Sequence, residues 1–167
     1  MLFSLVLCAC NNNDGGDLYK IYPIAEELET EYGVIDWPSL TPEERKQYPR
    51  ASFIIRSAED FPEQNLMNLE EIKAMHINFN QYTLLLSYNL IPGVVKGHRY
   101  VWQKNLQEGV FILSMSFSTR PILTENFEEA DTKEGMDEED IVTYYCTALL
   151  VNKIPSNAEV EFWRSII

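Results

Sequence analysis

The run IVTYYCTALLV at 141 to 151 carries apolar side chains on both of its faces, with no glycine, proline or charge to interrupt it. A strand of that kind must be sheltered on both sides. It predicts the middle of a sheet, with helix covering one face and another layer covering the other. Two further segments alternate instead, and the alternation says which side faces the core. In YTLLLSYNL, Leu84, Leu86, Tyr88 and Leu90 share one face while Thr83, Ser87 and Asn89 share the other. In VFILSMSFS, Phe111, Leu113, Met115 and Phe117 lie opposite Ser114, Ser116 and Ser118, so one face is wet. HRYVWQKNL at 98 to 106 is expected to pair with it through a turn at Gln107, Glu108 and Gly109, forming a β-hairpin. EVEFWR closes the pattern as an amphipathic terminal strand, with Val160 and Phe162 inward and Glu159 and Glu161 outward.

The first third of the chain is more broken. Thr41 precedes Pro42 and stands three residues before Glu44, which is a capping box with proline at the first helical position and predicts a helix over 42 to 48. SFIIR at 52 to 56 reads as a short strand. Ser57 offers a cap to the AED that follows, with Pro62 limiting its length, and Asn68 is expected to cap a turn or two through LEEIKAM. LYKIYPIAEELETEYGVIDWPSL, by contrast, shows no sustained period and reads as an ordered but irregular lead-in. The resulting expectation is an α+β domain: a mainly antiparallel sheet of about five or six strands with one or two short helices packed on one face.

The opening MLFSLVLCACNNNDGGD behaves as an address. Its apolar run falls far short of the roughly 20 residues that cross a bilayer but suits a signal-peptide core. Leu7 lies three places before Cys10, Ala9 directly precedes it and a polar tether follows, so the segment resembles the lipobox of bacterial lipoproteins. That resemblance implies a diacylglyceryl group on the Cys10 sulfur, cleavage before Cys10 and acylation of the freed amine, for instance with palmitate. Two or more acyl chains hold a protein firmly to a membrane. Cys8 is a weaker candidate, because Leu7 rather than a small residue precedes it. No Lys or Arg stands before Cys10, which places the expected basic start upstream. The organisation expected is a signal peptide over 1 to 9, a flexible tether over 10 to 17 and one domain over 18 to 167, held in the cell envelope at the outer membrane.

Charge narrows the partners. Thirteen basic residues against 26 acidic ones give a formal net charge of -13, a surface that repels phosphate backbones and argues against nucleic acid. With Cys8 and Cys10 in the leader, Cys146 is left alone, so no disulfide framework is expected and stability rests on packing.

FIIRSAEDF, then a helical piece, then INFNQYTLLL, a glycine-containing bend, a hairpin and a late apolar strand resembles the small domain of PrcB-like envelope lipoproteins, which support a partner protease. The resemblance covers roughly residues 52 to 163. Where that family carries a Gly-Gly-Tyr type turn, this chain has IPGVVKGHRYVW, with Gly97 and Tyr100 separated by His98 and Arg99.

The residues offer little catalytic chemistry. His76 and His98 are not at metal-ligand spacing, no HExxH, GxSxG, SxxK, Walker or dinucleotide pattern occurs, and no catalytic residue, metal or cofactor is expected. Cys146, in an apolar strand, reads as a small core hydrophobe with a raised pKa. In TENFEEADTKEGMDEED, Glu128, Glu129, Asp131, Asp137, Glu138, Glu139 and Asp140 read first as a solvated loop. Calcium and a basic partner are the sharper alternatives, although the spacing departs from the EF-hand pattern. Tyr100, Trp102 and Trp163 are candidates for a ligand or partner platform, set against core packing. The primary expectation is a non-catalytic, lipid-anchored envelope protein that binds a partner protein. A glycan- or small-ligand-binding module on the same tether is the alternative, and an enzyme of unrecognised type a third.

Overall fold

The computed structural model describes residues 18–28, 32–120 and 141–167. Nine strands, two short α-helices and one 3-10 turn occur among them: β1 (Tyr19–Tyr22), β2 (Ile24–Glu27), β3 (Tyr32–Asp36), α1 (Pro42–Arg45), β4 (Ala51–Ile55), the 3-10 turn (Ala58–Asp60), α2 (Leu69–Ala74), β5 (Tyr82–Pro92), β6 (Val94–Asn105), β7 (Phe111–Arg120), β8 (Ile141–Asn152) and β9 (Val160–Ile166). The strands make two sheets. Sheet A runs β1-β6-β7-β9, and sheet B runs β2-β8-β5-β4, with β3 also pairing β8.

This corrects the expected α+β class. Strand accounts for 56% of the structure and helix for 10%, and the strands form sheets of four and five rather than one sheet of five or six. Periodicity assigned a core face to the long strands, but it does not say which sheet a strand joins. Two corners decide that. The continuous segment β1–β2 passes from sheet A to sheet B across Pro23, which has no N–H to give a ladder. β5 passes from sheet B into β6 of sheet A across Gly93, whose φ of 81° is readily reached only without a Cβ and whose N–H donates to the Ile141 carbonyl at 2.7 Å.

The lead-in expected to be irregular is also strand: β1, β2 and β3 all lie within it. Each is short and each supplies an edge, so its apolar residues are spaced without a long alternation. The capping box forms as expected, with Thr41 N–H donating to Glu44 Oε2 at 2.7 Å and Glu44 N–H to Thr41 Oγ1 at 3.3 Å, although α1 is shorter than 42 to 48. Ser57 begins the 3-10 turn. Asn68 does not cap α2 through its side chain; it sits in the left-handed region at φ 58°.

The 141 to 151 run does occupy the middle of sheet B, between β5 and the β2/β3 pair. Both its faces are buried. Tyr144, Cys146, Ala148 and Leu150 face a core that also holds Leu84, Leu86, Tyr88 and Leu90 with Leu69 and Ile72 of α2. Two phenols tie this layer down, Tyr88 donating to the Met67 carbonyl and Tyr144 to the Pro49 carbonyl, each at 3.1 Å. The opposite face, with Tyr145, Leu149 and Val151, packs on Trp102, Phe111, Leu113, Met115 and Phe117 of sheet A. The hairpin closes as expected: Gly109 turns at φ 76°, and Asn105 Oδ1 accepts from the Gln107 and Glu108 amides.

Candidate functional site

The three aromatic residues expected to form a platform are not brought together. Trp102 is 2% exposed and stacks on Phe111 at 5.1 Å in the core between the sheets, so it is a packing residue and not a docking surface. Tyr100 is half-buried on the same side, with its hydroxyl 3.3 Å from Thr147 Oγ1 and its pKa pushed well above the ordinary value by burial. Trp163 stands apart on β9, 46% exposed, with its indole N–H donating to Glu161 Oε2 at 2.8 Å. The glycan-binding alternative thus loses Trp102 to the interior, with Tyr100 half-buried beside it. Cys10 and the acidic positions Glu128, Glu129, Asp131, Asp137, Glu138, Glu139 and Asp140 lie outside the described residues.

A cluster that local sequence does not signal forms where the two sheets meet. His98 of β6 places Nε2 2.6 Å from Glu27 Oε1 of β2, and its Nδ1 2.9 Å from the Tyr145 hydroxyl of β8. In the neutral imidazole, with the carboxylate accepting from Nε2–H, Nδ1 is the acceptor for the Tyr145 O–H. The imidazole stacks on Tyr100 at 4.8 Å, and Tyr32 of β3 stacks on Tyr145 at 5.8 Å. His98 and Tyr145 are 47 residues apart, and only the pairing of β2 and β3 with β8, opposite β6, assembles the group.

A carboxylate, an imidazole and a hydroxyl in series are the parts of an activated nucleophile. Here the hydroxyl works against that use. Tyr145 is 6% exposed, and burial, the largest cause, holds its pKa above the ordinary phenol value, so it keeps its proton. Two grooves among the described residues lie elsewhere, one lined by Gln47, Tyr48, Asn65 and Glu71 and one by Lys104, Glu108, Asn157 and Glu159. The geometry fits a polar clasp that fastens sheet A to sheet B. Cys146 is fully buried and its thiol is pushed up to about 12 by burial, which makes it inert at neutral pH. No group of three or more His, Cys, Asp or Glu side chains suited to a metal ion occurs among the described residues.

The remaining feature is an edge. β9 pairs with β7 in parallel, and no strand pairs with its other side among the described residues. Ile167 N–H donates to the Phe117 carbonyl, Thr119 N–H to the Ile167 carbonyl and Phe111 N–H to the Glu159 carbonyl. Odd-numbered residues of β9 therefore spend their backbone groups on β7, and strand alternation turns those of Val160, Phe162, Arg164 and Ile166 away from it. Ile166 and Ile167 lie exposed at the end of this edge and Trp163 along it. β9 contains neither lysine nor proline; its charges are Glu161 and Arg164, and the Arg164 side chain turns inward, with Nη1 donating to the Leu90 carbonyl at 3.2 Å. Comparison of the chain with protein-family models, with curated proteins and with solved structures finds no match to any of them.

Proposed function

We propose that this chain is a non-catalytic binding protein, tethered by a lipid on Cys10 in the cell envelope, that takes an extended segment of a partner protein onto the outer edge of β9. The observation that carries the reading is the row of four residues whose backbone donors and acceptors point away from β7, bordered by exposed Trp163 and Ile166. Strand addition draws its affinity from such main-chain groups and its specificity from alternate side chains. On the outer face Ser116 and Ser165 meet at 2.9 Å, which keeps sheet A polar immediately beside the edge. The resemblance of residues 52 to 163 to PrcB-like lipoproteins makes an envelope protease the first partner class to test.

The test is site-specific photo-crosslinking in intact cells from a photoreactive side chain at position 163. One discrete adduct is expected. It should vanish with Ile166→Pro, which removes an outward N–H while leaving the odd-residue bonds to β7, and persist with Ile166→Ala. An adduct indifferent to Ile166→Pro, or none at all, contradicts the proposal.

A further inference from the structure

At the far edge of sheet A, β1 exposes more apolar surface than any core-packed strand should. Ile21 is 71% exposed and Leu18 50%, and Leu106 at the head of the β6–β7 turn is 52% exposed. Leu106 N–H donates to the Leu18 carbonyl at 2.8 Å, so the two leucines share one tip. One step inward, Lys20 is the direct cross-strand partner of Lys104. Like charges placed opposite one another on a ladder are unfavourable. Both are held on aromatic rings, Lys20 Nζ 5.2 Å from the centre of Tyr22 and Lys104 Nζ 4.9 Å from that of Phe111, and neither reaches a carboxylate within ion-pair distance among the described residues. Acidic groups at this end include Glu108, whose Oε2 accepts from Asn105 Nδ2, and Glu159 across the adjoining groove. Glu161 lies on the rung of Ile21, through Gln103 and Ile112, and Asp17 adjoins Leu18 in the sequence, so Lys20 and Lys104 are set among acidic groups rather than paired with them.

We infer that this tip, Leu18, Ile21 and Leu106 with Lys20 and Lys104, is the surface that rests on the lipid headgroups of the bilayer. The inference builds on the lipid anchor at Cys10 proposed above. Only residues 11 to 17 separate Cys10 from Leu18, and a chain of that length holds the tip within about 30 Å of the anchored sulfur even when fully extended. The bilayer is thus the surface this tip meets first. Exposed leucines beside lysines suit the headgroup boundary, where aliphatic stems lie in the apolar layer and ammonium groups remain among phosphates. The β9 edge, three strand spacings or about 14 Å across sheet A, is left facing away.

The test uses the full chain, lipidated and reconstituted into phosphatidylglycerol/phosphatidylethanolamine vesicles that carry a lipid-borne quencher at headgroup depth. A fluorophore is placed on Leu106→Cys or, at the other end of the domain, on Val34→Cys. Quenching about threefold stronger at 106 than at 34 is expected if the tip sits at the headgroup boundary. Lys20→Glu with Lys104→Glu should bring the signal at 106 down to that at 34. Equal quenching at both sites in vesicle-bound, acylated protein overturns the orientation alone. Absence of the acyl mass on Cys10 and of vesicle association overturns the anchor on which it rests.

Discussion

Replacing His98 with alanine is the sharpest probe of how the two sheets are fastened. The substitution takes the acceptor from the Tyr145 hydroxyl, which stands 2.9 Å from Nδ1 in a residue only 6% exposed. A buried polar group left without its partner costs about 1–3 kcal/mol. The imidazole also stacks on Tyr100 at 4.8 Å, an arrangement that contributes about 0.5–1.5 kcal/mol between rings. The Glu27 pair adds little, because both side chains are roughly a third to a half exposed and water screens them. Since His98 itself reaches solvent, water partly satisfies the vacated hydroxyl, and the sum falls near 2 kcal/mol. Tyr145→Phe removes the hydroxyl instead of stranding it, so it should cost only about 1 kcal/mol. With a urea m-value of about 1–3 kcal/mol/M, His98→Ala lowers the unfolding midpoint by about 1 M, and the double variant falls short of the sum by about 1 kcal/mol. If both single variants unfold within about 0.5 kcal/mol of the parent, or their effects simply add, the clasp does not hold the sheets together.

Other perturbations address the core, the hairpin and the buried ionisable groups. Trp102→Ala empties the space beside Phe111 and should destabilise the domain by about 3–5 kcal/mol in the same urea assay, whereas an exposed platform residue would be nearly neutral. Gly109→Ala meets no atom within 4 Å but must hold φ near 76°, so a loss of about 1–2 kcal/mol is expected from backbone conformation alone. Cys146, Tyr88, Tyr100 and Tyr144 all have pKa values raised by burial, so the unfolded chain releases their protons first as pH rises. Their contribution is intact below the ordinary values of 9.0 for the thiol and 10.0 for the phenols and is lost as pH climbs from there toward the folded values. Thermal midpoints should therefore decline from about pH 9 upward, and Cys146 should resist thiol reagents at pH 8 until urea unfolds the protein; a flat alkaline profile with rapid labelling of native protein contradicts this.

What local pattern can reveal in this chain is the facing of long strands. The two-sided run at 141 to 151 and the alternation through Phe111 read correctly because each strand is long enough to show its period, and the Thr41 box because a cap is a local bond; the alternation through Leu84 gave only one of two buried faces, since Thr83, Leu85, Ser87 and Asn89 of β5 are buried as well. Partition into two sheets was hidden, since it turns on corners at Pro23 and Gly93 that look like ordinary breaks. The short edges β1 and β3 were missed because Tyr19, Ile21, Tyr32 and Val34 put apolar side chains on the exposed side. Trp102 alternates with Tyr100 as expected, but alternation alone does not tell a covered face from an open one. Glu27, His98 and Tyr145 come from three strands, and nothing near any of them in the chain announces the others.

The openness of β9 is tested most directly by amide hydrogen exchange, residue by residue, on the full protein in solution. Glu161, Trp163 and Ser165, whose N–H groups are turned toward β7, should be protected, while Phe162, Arg164 and Ile166 should exchange far faster, in strict alternation. Uniform protection along β9 would mean that the edge is already covered, and the proposed strand-accepting site would not exist.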